Sequence, residues 1–503
     1  EFERDRTESE NLNVDALFNF ANANNNSPTN FESQRRIIGV YGDASLGFRN
    51  YAFLSLTGRN DWSSTLPKDN RSFFYPSIST SLVFTDLLEE EYDLTIPGIS
   101  YGKLRANYAE VGSDEDPHQL TFDFIPNSNV FGQFGADLTF PFRGLTAFEA
   151  SETVPPTDLK PQTQKAFEIG TELGFFDGRV NLDFTYYNQE TEDQIISLPT
   201  PESSGFGALR TNVGTVSNEG FEANVRAGLL TTTTFAWRTN VNFSSNTNEV
   251  VSLAEGVEEL TLQSGFNGLQ VRARPGEEIQ IFGVGWARDP NTGKVLINPD
   301  TGLRQTGEDK SLGDLYPDFK VGISNTFSVW NFDLSFLIDW KQGGKVFSST
   351  VQDLRSSGLA AETAANRGGT FVDDGVIVTE TDPNTGEILD TRPNDVPVQS
   401  MQAFWGQHSN QSIIESGVFD ATYVKLRDVS LTFNAPTSWF GRAPVQNASI
   451  TLQGRNLLLL YSEVPHIDPE TNLFGAGASI GQGVEFGNLP NTTTFGATLN
   501  LSF

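Results

Sequence analysis

Apolar and polar residues alternate through most of this chain. In the closing stretch TTTFGATLNLSF, Phe495, Ala497, Leu499, Leu501 and Phe503 share one side, while Thr494, Gly496, Thr498, Asn500 and Ser502 share the other. Trp330, Phe332, Leu334, Phe336, Ile338 and Trp340 alternate in the same way with Asn331, Asp333, Ser335, Leu337 and Asp339. So do Phe235, Trp237, Thr239, Val241 and Phe243, and again Phe167, Ile169, Thr171, Leu173 and Phe175. A period of two is the mark of a strand with one apolar face. Strands of soluble sandwiches run about 5–6 residues. These run nearer ten, with aromatic residues at both ends of the apolar stripe, as in strands that cross a membrane in about 9–11 residues.

The pattern predicts strands near 12–22, 36–48, 51–61, 73–84, 101–111, 164–175, 180–191, 214–228, 235–248, 318–328, 331–341, 421–434, 447–458 and 491–503. Links alternate between tight turns (49–50, 176–179, 229–234, 329–330) and long stretches rich in Gly, Asn, Asp, Thr and Pro. Short turns on one side and long loops on the other are the habit of outer-membrane barrels. One strand breaks phase: Val424 and Leu426 share a face, but Val429, Leu431 and Phe433 take the other parity. A β-bulge near Arg427–Asp428 restores the apolar face.

Composition narrows the class. Aromatics reach 12%, with 40 Phe, which argues against disorder. The formal charge is −31, from 33 Lys+Arg against 64 Asp+Glu, so a nucleic-acid partner is not expected. Cysteine is absent, which removes disulfides, thiolate metal sites and Cys nucleophiles. The longest aliphatic run, Leu457 to Tyr461, is far short of the roughly 20 residues of a membrane helix. The opening EFERDRTESE carries no apolar targeting segment. The expected fold is all-β, a transmembrane antiparallel β-barrel.

Several phrases carry a family resemblance. LTGRNDWSSTLPKDNRSFFYPSISTSLVF (56–84), LKPQTQKAFEIGTELGFFDGRVNLDFTYYNQETEDQI (159–195), NVGTVSNEGFEANV (212–225), YVKLRDVSLTFNAP (423–436) and GRNLLLLYSEVPHIDPE (454–470) follow one another in this order. Together they resemble the SusC/RagA-like TonB-dependent outer-membrane transporters of Bacteroidota. The resemblance implies the plugged, roughly 22-stranded barrel type. Residues 1–503 then read as its C-terminal part, about fourteen strands. Extracellular loops are expected near 112–163, 192–213, 249–317, 342–420 and 459–490, with the plug outside this chain. It further implies import of oligosaccharides or peptides with a SusD-like lipoprotein lid, and drive from TonB through the part of the protein not seen here. Outer-membrane lipid is the surrounding partner.

The candidate chemistry is sparse. Gly477-Ala478-Ser479-Ile480-Gly481 matches a nucleophile-elbow string, but no helix pattern follows it, so a loop is the reading. His118, His408 and His466 have no ligand spacing. DPNTGKVL (289–296) recurs as DPNTGEIL (382–389). Asp289, Asn291, Asp382 and Asn384 begin like calcium loops, but the glycine falls fifth rather than sixth, and a type I turn between short external strands competes. Ca²⁺ in an external loop is the one cofactor to weigh. Trp286 and Trp405 lie in long loops and could stack on a ligand, with scaffold the competing reading; Trp237, Trp330, Trp340 and Trp439 suit interfacial anchors. Glu168, Glu172, Asp333, Asp339, Arg238 and Arg455 fall on the polar face and keep a channel wall wet. No catalytic residue is assigned. Three rivals to import remain: a self-contained passive barrel of the fourteen strands, a hydrolase using Ser479, and a non-transport envelope platform. Pairing of 491–503 with 12–22 would mark the first.

Overall fold

The computed structural model describes residues 2–12, 23–122, 124–127, 129–130, 138–139, 145–265, 268–365, 367–409, 413–441, 444–471 and 482–503. Thirteen strands form one sheet in which every neighbour follows its predecessor in the chain. They are β3 (Ile37–Phe48), β4 (Ala52–Ser63), β5 (Ser72–Val83), β6 (Ile99–Ser113), β7 (Gln162–Phe175), β8 (Val180–Glu192), β9 (Thr215–Thr231), β10 (Phe235–Ser252), β11 (Phe319–Val329), β12 (Phe332–Gln342), β13 (Tyr423–Asn434), β14 (Asn447–Ser462) and β15 (Thr494–Ser502). All of these pairs are antiparallel. Ahead of them, β1 (Phe2–Leu12) and β2 (Ala23–Ser33) form a separate hairpin.

The alternation places thirteen of the expected strands within a few residues. The exception is the strand expected near 12–22: residues 13–22 lie outside those described, and Leu12 ends β1. Among the described residues β3 pairs with β4 alone and β15 with β14 alone, so the sheet is open at both edges. The closing pair that a self-contained passive barrel needs is not formed there.

Register carries the two faces across the sheet. Glu168 lies opposite Asn107 and Tyr187, and Thr432 opposite Asp333 and Thr451, which makes one face polar. The other face shows its apolar side chains openly: Phe167 is 44% exposed, Leu452 55% and Leu499 66%. A contiguous apolar surface of this extent belongs against lipid. Aromatics cluster at the ends of this face. Trp330 and Trp439 stand out at the tight-turn end, and Trp340 packs edge-on against Phe319 at the long-connection end.

The long connections are more folded than their composition suggested. They carry a four-stranded sheet (Leu260–Ser264, Gln270–Ala273, Gln280–Trp286, Thr306–Asp314) and a three-stranded one (Lys345–Ser348, Val418–Asp420, Val484–Glu485). A second three-stranded sheet (Thr153–Val154, Ala208–Asn212, Ile195–Pro199), a hairpin (Val376–Thr381, Ile388–Pro393) and helices Ser349–Ser356 and Met401–Gly406 also lie in these connections. Most buried apolar clusters among the described residues sit here rather than in the sheet, the largest around Ile281, Phe347, Ile414 and Val484, while Val250 of β10 joins Leu260 and Ala273 in another. These strands span 2–9 residues and turn often, too short for alternation to register. At the opposite end the strand expected to reach residue 84 gives way to a helix, Phe84–Tyr92, whose first ring lies where a side chain on Gly102 would stand.

Candidate functional site: the polar face and the layer above it

The expected bulge is present. Register slips between Leu337 and Ile338 on β12 and between Leu426 and Asp428 on β13, which leaves Arg427 as the extra residue. The bulge re-aims this side chain. Its Nη1 lies 2.8 Å from Glu470 Oε2, its Nη2 lies 2.7 Å from Glu470 Oε1, and Nη2 also contacts Asp339. Lys425 Nζ, 6% exposed as a side chain, reaches Asp468 Oδ1 at 2.5 Å and Glu470 Oε2 at 2.6 Å. Tyr423 donates to Glu470 Oε1 at 3.0 Å. Burial opposes the charge on Glu470, yet Arg427 and Lys425 hold its carboxyl down to about 2. The last long connection is thereby clamped to the top of the polar face.

Glu470 sits in Asp468-Pro469-Glu470-Thr471, where Asp468 Oδ1 accepts from the Glu470 amide at 3.1 Å. This is the turn chemistry of the DPNTG repeats. Asp289 accepts from the Asn291 amide at 3.0 Å and from Thr292 Oγ1 at 2.6 Å, and from Thr391 Oγ1 at 3.2 Å on the second repeat's hairpin. Asp382 accepts from the Asn384 and Thr385 amides at 2.7 and 3.1 Å. Asn298-Pro299-Asp300-Thr301-Gly302 repeats the pattern, with the Asp300 amide 2.8 Å from Asn298 Oδ1. Gly293, Gly302 and Gly386 close these turns at φ of 69–74°. The carboxylates proposed from sequence as calcium ligands are thus engaged within their own turns. Among the described residues no group of three or more His, Asp or Glu is arranged so that it could hold a metal ion. The sequence phrase D/N-P-x-T marks all four turns, of which only those at 289–296 and 382–389 are near-identical to each other.

Trp286 and Trp405 are brought together, which spacing could not show. Trp286 ends the strand Gln280–Trp286 and is 5% exposed, with its ring centroid 5.7 Å from that of His408. Trp405, on the helix Met401–Gly406, packs against the same imidazole, its ring centroid 5.0 Å away. Arg304 lies 5.6 Å from the Trp286 ring and is fixed by Asp373, its Nε 2.6 Å from Oδ2. So little of Trp286 is open that its face supports the layer rather than meeting a ligand in this arrangement. Burial pushes the His408 imidazole down to about 4, and its Nδ1 lies 3.0 Å from the Phe404 carbonyl. His466 contacts Glu362 in a different connection, and His118 lines a recess with Arg36, Ser64 and Thr65. Ser479 falls outside the described residues.

Below this layer the polar face is furnished with partnered charge. Arg105 reaches Glu172 at 3.0 Å, Asp183 at 2.8 Å and Thr185 Oγ1 at 2.6 Å, and Lys103 shares Glu172 at 3.0 Å. Asp333 accepts from Asn434 Nδ2 at 2.7 Å, and Arg455 lies 3.4 Å from Asp428. Two recesses share Arg105, Thr185 and Glu222: one of ≈ 450 Å³ with Asn224, Asn242 and Lys320, the other of ≈ 590 Å³ with Glu168, Tyr187 and Asn246. A third, of ≈ 470 Å³, lies toward the tight turns and contains Arg238. Such a wall can hydrogen-bond a passing solute.

Comparison with known proteins follows the same lines. The profile of the family described as "TonB dependent receptor-like, beta-barrel" matches residues 4–341. TonB-dependent receptor P3 of Formosa agariphila is 27% identical over 503 residues, covering 95% of this chain and 46% of the relative. TonB-dependent receptor SusC of Bacteroides thetaiotaomicron is 25% identical over 354 residues, covering 67% of this chain and 34% of the relative. The chain spans about half the length or less of the curated relatives it matches. Among solved structures, the RagAB peptide importer in its 'closed-closed' state superposes with a TM-score of 0.73 at 20% identity, over 100% of this chain and 52% of that one. That likeness is one of fold.

Proposed function

The chain belongs to the TonB-dependent receptor-like β-barrel family, whose members are outer-membrane receptors and transporters, and from that premise we propose that it forms the wall and extracellular connections of an importer of oligosaccharides or peptides. A SusD-like lipoprotein covers the folded connections, the ligand is held between lid and layer, and TonB acts through the part of the protein outside these residues to open the lumen. The chain performs no covalent chemistry in this reading. The observation that carries it is the asymmetry of the sheet: an open apolar face, a hydrogen-bonding polar face, and a folded layer on the long-connection side. Binding residues concentrate on connections carried by a rigid scaffold.

The test is deletion of the gene in its native host, with growth followed on a panel of single oligosaccharides and peptides. Growth lost on one class and restored by the gene supports import. Unchanged growth on every member, with no lipoprotein recovered on purification, overturns it in favour of an envelope platform.

A further inference from the structure

We propose that the recess lined by Arg36, Ser64, Thr65 and His118, at the long-connection end of β3 and β4, binds the phosphate of a lipid headgroup in the outer leaflet. The β3–β4 ladder begins with Ile37 opposite Ser63. It runs one step further, because the Ser64 amide donates to the Arg36 carbonyl at 3.0 Å and Ser64 Oγ accepts from the Arg36 amide at 3.0 Å. Two positions along, Ile38 lies opposite Trp62 on the apolar face, and they are 68% and 38% exposed. A period of two therefore sets Arg36 and Ser64 on that same outward side, just past the end of the apolar stripe.

The recess holds ≈ 360 Å³, Thr121 adds a third hydroxyl, and among the described residues no Asp or Glu lines it. Arg36 has no carboxylate oxygen within 4.0 Å among those residues; its Nη2 lies 3.5 Å from Gln34 Oε1. The connection that brings His118 here is tied down at its start. Asp114, the first residue after β6, accepts from Thr65 Oγ1 at 2.8 Å and from Arg35 Nε at 3.1 Å. Its carboxylate is 2% exposed, is answered by Arg35, and is not among the groups that line the recess. Four residues on, His118 is held at φ 66°, a conformation that residues other than glycine adopt at a cost and that gathers at ligand sites. No hydrogen bond or ion pair engages its imidazole among the described residues. A guanidinium, an imidazole and three hydroxyls with no carboxylate among them form a donor set for phosphate oxygens. Position decides the source. Trp62 stands at the level of an interfacial aromatic, and a basic recess just beyond that level meets headgroups. The inference rests on the apolar face being the lipid face, and it goes beyond import, whose path would run along the opposite side of the sheet.

The test uses the full-length protein purified in mild detergent, with native mass spectrometry counting bound copies of hexa-acylated lipid A in its phosphorylated and dephosphorylated forms. The parent should hold one more copy of the phosphorylated lipid than of the dephosphorylated one. Arg36→Ala combined with His118→Ala should lower the population carrying that extra copy about tenfold, the effect of removing two cations near a headgroup. Arg36→Lys should keep most of it, and heat-modifiable migration should show every variant folded. Equal retention of the two lipids, or a folded double variant that keeps the extra copy, overturns the inference. So does complete displacement of the extra copy by inorganic phosphate alone, which would make the recess a site for a free anion.

Discussion

Arg427 grips both oxygens of the Glu470 carboxylate, at 2.8 and 2.7 Å, across 43 residues of chain. The guanidinium is available because a bulge takes it out of the ladder, and the carboxylate is available because an Asp468-centred turn presents it. Both side chains are roughly a quarter exposed, so this is neither a surface pair nor a fully buried one. Glu470→Gln should therefore destabilise the clamp by about 1.5–3 kcal/mol, the range for hydrogen bonds to charged groups. Hydrogen exchange should rise over 463–471 while strands β3 to β8 stay protected. Equal loosening of both regions would show that the clamp does not act locally.

The same group sets an acid limit. The folded Glu470 carboxyl titrates at about 2, below the about 4.3 of an unfolded glutamate. Above the unfolded value its contribution is fully present; it fades as pH falls from about 4.3 toward 2. Melting of the purified protein in detergent should lose less stability over that window in Glu470→Gln than in the parent.

How much of this could be read from the sequence depends on length scale. Strands of ten or more residues announce themselves, because five or six alternations agree; the bulge at Arg427 was visible as the one place they do not. The partners of Arg427 were not visible, since Glu470 is joined to it by turn geometry and not by spacing. The convergence of Trp286 and Trp405 on His408 was hidden for the same reason, as they are brought together by a layer of short strands with no readable period. Arg238 was seen as a polar-face charge, but its neighbours Arg179 and Arg226 come from a turn and a different strand.

Gly220 is a packing requirement of the polar wall. A Cβ there would stand 2.2 Å from the Ser245 carbonyl oxygen and 2.6 Å from the Tyr187 hydroxyl, which itself donates to Asn246 Oδ1 at 2.9 Å. Gly220→Ala should destabilise by about 1–3 kcal/mol, as overpacking does. Removing the ring in Tyr187→Ala should not rescue it, because the nearer obstacle is backbone. Heat-modifiable migration on gels reads both variants, and a rescued double variant would show that the ring alone sets the limit.

Asp289 and Asp382 should separate turn from metal. Asp289 is buried and bonded to both repeats, whereas Asp382 serves its own exposed turn. Asp289→Ala should cost about 1–2 kcal/mol, as loss of a capping carboxylate does, and Asp382→Ala less. Added Ca²⁺ should leave the melting temperature of the parent unmoved; a calcium-dependent rise abolished by either substitution would restore the metal reading.

His408 makes the external layer acid-sensitive in a second, separable window. Burial among Trp286, Phe404 and Trp405 lowers its imidazole to about 4, against about 6.5 when unfolded. The unfolded state therefore takes up a proton at higher pH than the folded one, so stability is fully present above about 6.5 and falls as pH drops toward 4. The positive Arg304 and Arg355 side chains work in the same direction, and the Phe404 carbonyl and Asp373 work against it. Fully expressed, the difference is about 3 kcal/mol at about 1.4 kcal/mol per pH unit. Replacing the ring by an apolar one of similar breadth, His408→Phe, removes the proton but keeps the packing, so it should flatten the melting profile between pH 6.5 and 4. The Glu470 window below it should survive in that variant. A parent profile already flat across this range would mean that the imidazole is hydrated in the folded protein.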